Sequence, residues 1–182
     1  MATIPLAERM RPRSIAEILG QEHLLSEGAV LLKAIRSGRL PSMILWGPPG
    51  VGKTTLARVI AGEMGRSFIP LSAINSGVKD IRDAIDQAKK QRYFDRPGPI
   101  LFIDEIHRFS KSQQDSLLGA VEDGTVTLIG ATTENPSFEV ISALLSRSQV
   151  YVLKPLDEET MRKLIARAIS QDEELKKKKI II

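Results

Sequence analysis

The sequence predicts an α/β domain built on a mostly parallel sheet, and three observations carry that prediction. Short apolar runs bounded by turn residues recur along the chain. Stretches with helical spacing of apolar residues lie between them. The runs are apolar at consecutive positions, which suits strands buried on both faces of a sheet. Strands alternating with helices in this way imply crossover connections and parallel pairing.

Taken in order, the first run is residues 42–46 (SMILW), after Pro41. Before it, Ser26 is expected to cap a helix carrying Val30, Leu31 and Ala34, stopped by Gly38. Residues 54–64 follow as a helix with Leu56, Val59 and Ile60 on one stripe. Residues 68–71 form a weaker strand. Ile81, Ala84, Ile85 and Ala88 then repeat at helical spacing. The breaker at 96–99 (RPGP) introduces the run 100–104 (ILFID). Ser110 with Gln113 reads as a capping box ahead of Leu117, Leu118 and Val121. Gly124 precedes the run 126–131, and 150–153 closes the series. After Pro155 the pattern changes. Asp157 is placed to cap a helix with Met161, Leu164, Ile165, Ala168 and Ile169 apolar, and no strand follows it. The end, 176–182 (KKKKIII), is of low complexity. The division expected is 1–154 for the main domain and 155–182 for a further helical segment with the tail.

Composition narrows the class. The 182 residues contain no cysteine, which excludes disulfides and thiolate metal sites. Apolar residues make up 42% and charged residues 26%, as in an ordinary globular protein. No apolar run approaches the roughly 18 residues that a membrane helix needs. Residues 1–13 carry Glu8 and three arginines and lack the apolar stretch of a secretory signal. A cytoplasmic protein without membrane attachment is expected. The net charge of +4 permits nucleic-acid binding without arguing for it.

Two motifs carry chemistry. Residues 47–54 read GPPGVGKT and match G-x-x-x-x-G-K-[ST] in full. Gly47, Gly50 and Gly52, with Pro48, Pro49 and Val51 between them, let main-chain N–H groups turn inward toward anionic oxygens. The start of the following helix, including Thr55, adds its own amides. Lys53 sets a compact charge against the β- and γ-phosphates of ATP, and the Thr54 hydroxyl suits the shell of a magnesium ion. The second motif is the run 100–105 (ILFIDE). A buried strand would push Asp104 out at its carboxyl end, where ligands bind in open α/β sheets. There Asp104 is the candidate magnesium ligand, and Glu105 the candidate base that polarises a water. Alone, an apolar run ending in two acids more often marks a solvated strand end. The complete phosphate loop about fifty residues earlier decides for function. His107 is one of two histidines, too few for a zinc site, and is assigned a structural or hydrogen-bonding role. Trp46, beside the loop, is read as core rather than as a base-stacking platform.

Longer strings add to these motifs. They are LAERMRPRS at 6–14, ILGQEHLL at 18–25, ILWGPPGVGKTT at 44–55, DEIHRF at 104–109, VEDGT at 121–125, LIGATTENPSFEV at 128–140 and LLSRS at 144–148. Together they resemble the replication-associated recombination protein A family, whose eukaryotic relative is the Werner-helicase-interacting protein. The resemblance covers about residues 4–170. It implies the P-loop AAA+ three-layer fold, a five-stranded parallel sheet in the order 5-1-4-3-2, and the first helix of a truncated helical lid. It implies adenine contacts from Arg11, Pro12, Ile18 and Leu19, a polar sensor at Thr133 with Asn135 as its rival, and an arginine finger at Arg147 that reaches a neighbouring subunit's nucleotide. It further implies homo-oligomers and action on DNA ends, gaps or forks beside single-strand DNA-binding protein, associated with the nucleoid in a bacterium.

Three functions fit these features. One is ATP hydrolysis in DNA replication, recombination and repair. Another, motivated by the shortened lid, is a nucleotide-binding interaction module with little turnover. A third is a clamp-loader or branch-migration subunit, against which the ENPSFEV string at 134–140 argues.

Overall fold

The structure is a computed structural model that describes residues 4–92 and 97–177. Arg96 of the 96–99 breaker and residues 178–182 of the tail lie outside the described residues. Five strands form one parallel sheet: β1 (Met43–Trp46), β2 (Phe68–Ser72), β3 (Ile100–Asp104), β4 (Thr127–Thr132) and β5 (Gln149–Val152). Their order is β2-β3-β4-β1-β5, the order expected, with each run found within a residue or two of its expected bounds.

Alternation along the strands makes three layers. Ile44, Leu101, Ile103 and Leu128 point into one core with Ile81, Ala84 and Ala88 of the helix Val78–Arg92. Met43, Leu45, Ile100, Phe102 and Ile129 point the other way, onto Leu56 and Ile60 of the helix Lys53–Glu63 and Leu31 and Ile35 of the helix Val30–Arg36. Both faces of β1, β3 and β4 are therefore covered, which is why their sequences lack polar alternation. The edge strand β5 differs: Val150 and Val152 are 43% and 47% exposed.

Two local expectations need correction. Ser26 does not cap the helix that carries Leu31. It closes a short helix, Glu22–Leu25, and Gly28, at a φ of 87°, turns the chain so that the next helix starts at Val30 with Ala29 as its cap. The stripe shifts with it: Leu31, Leu32 and Ile35 are buried, and Val30 faces solvent. The capping box at Ser110 and Gln113 is present, but its helix ends at Asp115, and Leu118–Glu122 follows as a separate helix. The Asp157 carboxylate accepts from Thr160 N–H and caps the helix Glu158–Gln171 as expected.

Candidate functional site

The loop 47–52 leaves the carboxyl end of β1 and enters the helix Lys53–Glu63. Gly52 holds a φ of 97°, a left-handed conformation that glycine adopts without a Cβ penalty. A Cβ on Gly47 would lie 2.7 Å from the Leu153 carbonyl oxygen, so only glycine fits where the loop passes β5. Gly47 N–H donates to the Thr132 carbonyl (3.2 Å), tying the loop to the end of β4. Lys53 is buried at 7% exposure, and its ammonium donates to the carbonyls of Gly47 (2.7 Å) and Pro48 (2.9 Å). Burial pushes it below lysine's ordinary range, while the carboxylates of Glu105 and Asp104 push it back up. Thr54 and Thr55 are half-buried on the first turn, where the helix amides have no intrahelical acceptor.

Asp104 ends β3, two strands from β1 and thus about 10 Å across the sheet. Both carboxylates act on the Lys53 ammonium, so the loop and the acidic pair face one space. Glu105 has a φ of 56°, the one non-glycine residue with positive φ among the described residues. Such a conformation costs about 1–3 kcal/mol and marks places where the surroundings over-determine the backbone. Beyond it, His107 Nε2 lies 3.2 Å from Glu105 Oε2, and its Nδ1 lies 2.9 Å from Thr132 Oγ1. The Thr132 hydroxyl, fully buried, accepts from Glu134 N–H (3.0 Å), and its one proton has both the Glu134 carbonyl (3.2 Å) and His107 Nδ1 within reach. Sequence reasoning gave His107 a structural or hydrogen-bonding role, of which the contacts show the second, and missed Thr132, whose apolar-strand position hides it.

Pro12, Ile18 and Leu19 line one cleft together with Gly50, Val51, Gly52 and Thr55. Leu153, Leu156 and Leu164 close its other wall. Arg11 lies elsewhere: it pairs with Glu8 (2.5 Å) and lines a neighbouring groove with Arg13 and Arg167. The N-terminal segment is fastened to the C-terminal helices. The Gln21 amide is bonded in both directions to the backbone of Lys154 (2.8 and 3.0 Å), and Arg167 donates to the Glu17 carbonyl (2.8 Å). Arg9 meets Asp172 through two N–H groups (2.7 and 3.0 Å), and it holds that carboxyl well below the usual range, at about 2.

Thr133 is half-buried just beyond β4, at the same end of the sheet as Glu105. Asn135, its rival, accepts from Ser137 N–H and caps the short helix Pro136–Glu139. Arg147 is not brought to this site. It lies at the amino end of the sheet, just before β5, bonded to the Ala143 carbonyl (2.8 Å) and paired with Glu122 (2.7 Å). The length of β1 alone separates it from the phosphate loop by roughly 13 Å. Buried Gln114 was not anticipated. Its amide donates to the carbonyls of Phe109 (3.1 Å) and Glu139 (3.0 Å) and accepts from Ile141 N–H (2.9 Å), joining the segments that leave β3 and β4.

Comparison with known proteins bears on this arrangement. Residues 43–156 match the model of the AAA family, the ATPase family associated with various cellular activities. The chain belongs to the AAA family. This AAA chain is 56% identical over 165 residues to replication-associated recombination protein A of Escherichia coli K12, covering 91% of the chain and 37% of that protein. It is 50% identical to ATPase WRNIP1 of Dictyostelium discoideum, over 91% of the chain and 19% of that protein. Its fold matches the RuvB Holliday junction branch migration motor of Thermotoga maritima with a TM-score of 0.70 at 33% identity, covering 88% of the chain and 54% of RuvB. The chain thus spans little more than a third of the length of the Escherichia coli relative.

Proposed function

We propose that this AAA domain binds ATP with magnesium and hydrolyses it within a larger protein of DNA replication, recombination and repair. One observation carries the reading: the glycine loop, Lys53 and the Asp104–Glu105 pair converge at one end of the sheet. The donor set suits magnesium. Thr54 and Asp104 offer hard oxygen ligands, and no cluster of three or more His, Cys, Asp or Glu side chains competes for a metal among the described residues. Bound there, magnesium would neutralise charge building on the phosphates. The loop amides and Lys53 orient the phosphates, and the Lys53 ammonium leaves the Gly47 and Pro48 carbonyls to meet them. Glu105 polarises the attacking water by accepting its hydrogen bond. Thr133 steadies that water or the γ-phosphate. Pro12, Ile18 and Leu19 receive the base in their apolar cleft, and the helix Glu158–Gln171, whose Leu164 lines that cleft, begins a helical lid over it.

Arg147 acts in trans. It points away from its own chain's site, so a ring or filament of copies would deliver it to a neighbour's γ-phosphate. The name of the Escherichia coli relative supports replication and recombination as the setting. Within it, the proposed substrate is DNA ends, gaps or forks, the proposed partner single-strand DNA-binding protein, and the proposed location the cytoplasm or nucleoid. The test joins calorimetry with phosphate release. ATP–magnesium uptake is expected for the chain and for Glu105→Gln alike, with turnover in the variant down by about 10²–10⁴. Absence of ATP uptake by folded protein refutes the reading, and unchanged turnover in Glu105→Gln refutes the base. Uptake of ATP without phosphate release by the unaltered chain, with or without DNA, favours the nucleotide-binding interaction module.

A further inference from the structure

The residues after β3 form a bridge that the phosphate loop and the acidic pair do not require. Ile106 is fully buried and packs on β4 at Gly130, where a Cβ would come within 3.1 Å of Ile106 Cδ1 and 2.8 Å of Ile44 Cδ1. That close seating brings the short helix Ile106–Arg108 against the end of β4. It leaves the His107 side chain 9% exposed, between the Glu105 carboxylate and the Thr132 hydroxyl. Thr132 is itself tied to the phosphate loop, since its carbonyl accepts from Gly47 N–H. A continuous polar path therefore runs from the loop through Thr132 and His107 to Glu105, whose backbone is held left-handed at the same point.

We propose that His107 is the positioning residue for the Glu105 carboxylate, holding it through Nε2 and registering it against the end of β4 through Nδ1. This rests on Glu105 being the base. The chemistry fixes the tautomer. An ionised carboxylate has only acceptor oxygens, so Nε2 must carry a proton. In the neutral ring Nδ1 is then an acceptor, and it draws the single Thr132 hydroxyl proton (2.9 Å) in competition with the Glu134 carbonyl (3.2 Å). The carboxylate loses rotational freedom without losing its charge, and the water it serves meets a fixed acceptor.

Two ring substitutions separate the halves of the bridge. His107→Gln keeps an N–H near the position of Nε2, and His107→Asn keeps an amide near the position of Nδ1. Turnover is expected to fall by up to about 100-fold in His107→Ala with KM for ATP little changed. His107→Gln should recover most of the loss and His107→Asn little of it. In a Glu105→Gln background, His107→Ala should add nothing, because both changes remove one function. Independent of turnover, nitrogen-15 NMR of the ring should show a proton on Nε2, and Thr132→Val should shift the Nδ1 resonance. A ring protonated on Nδ1 alone overturns the proposal. Loss of ATP affinity in step with kcat, or additive losses in the double variant, makes the residue structural and also overturns it. Full turnover in Glu105→Gln would instead remove the base assignment beneath it.

Discussion

At the carboxyl end of the sheet, Lys53 is buried on its own loop carbonyls, faces two carboxylates, and stands near a histidine pinned between two partners. At the amino end, Arg147 is 41% exposed and leans on the half-exposed Glu122. Both ends bear groups suited to a triphosphate, yet the cation is buried at one and lies half-exposed in an open groove beside Pro41, Glu122 and Thr127 at the other. A cation at a half-wet surface gains little from its neighbour, so its partner holds it weakly. That contrast is the one expected if each copy supplies most of its own site and a single charge to the next.

The sharpest way to break this comparison is Arg147→Ala. A finger delivered between subunits is worth about 10³–10⁵ in rate in known cases. The expected result is turnover reduced on that scale, ATP affinity retained, and loss of the rise in activity per subunit with protein concentration. Thermal stability should stay within about 1 kcal/mol, because an exposed ion pair contributes little. Activity independent of concentration in the unaltered chain would place the cation's work elsewhere.

A smaller effect tests what joins the two ends. Gln114→Ala would strip partners from the Phe109 and Glu139 carbonyls and from Ile141 N–H, all drawn from segments between the acidic pair and Arg147. Leaving such groups unpaired inside the protein costs about 1–3 kcal/mol. Denaturant unfolding should show at least that loss, and Gln114→Glu should not repair it, since a carboxylate cannot donate to two carbonyls. The smallest effect concerns the strap between the termini. The Asp172 carboxyl is held at about 2, below its ordinary 3.8, chiefly by the Arg9 hydrogen bond. A depressed folded value means that its contribution is complete above about pH 4 and disappears as the pH falls toward 2. Hydrogen exchange across the helix Glu158–Gln171 should therefore quicken in that window, and Asp172→Asn should flatten the dependence.

Much of the sheet and of the carboxyl-end site was legible because their signals are local. A loop of three glycines and a lysine announces itself within eight positions, and five apolar runs predict five strands. Capping boxes are equally local, so Ser110 and Asp157 were readable. Ser26 was not, because Gly28 moved the cap three residues on, from Ser26 to Ala29, and one polar residue suits the end of one helix as well as the start of the next. The contacts that join distant segments left no mark in the sequence. Arg9 and Asp172 are 163 positions apart, and Gln21 reaches across 133 to Lys154. Nothing near either partner distinguishes it from an ordinary surface polar residue. Thr132 and Gln114 were hidden differently, one inside an apolar strand and the other inside a polar helix turn, where burial rather than residue type gives them their importance.

The Gln21–Lys154 amide pair has a mechanical consequence. It rivets the segment that carries Pro12 and Ile18 to the connection between β5 and the helix Glu158–Gln171, directly beside the lipophilic slot that those residues form with Leu156 and Leu164. A guest wedged into that slot cannot spread one jaw without dragging the other. Occupancy of the slot would therefore load both jaws together, and the Arg9–Asp172 and Arg167–Glu17 clasps would carry that load onward to the last described helices.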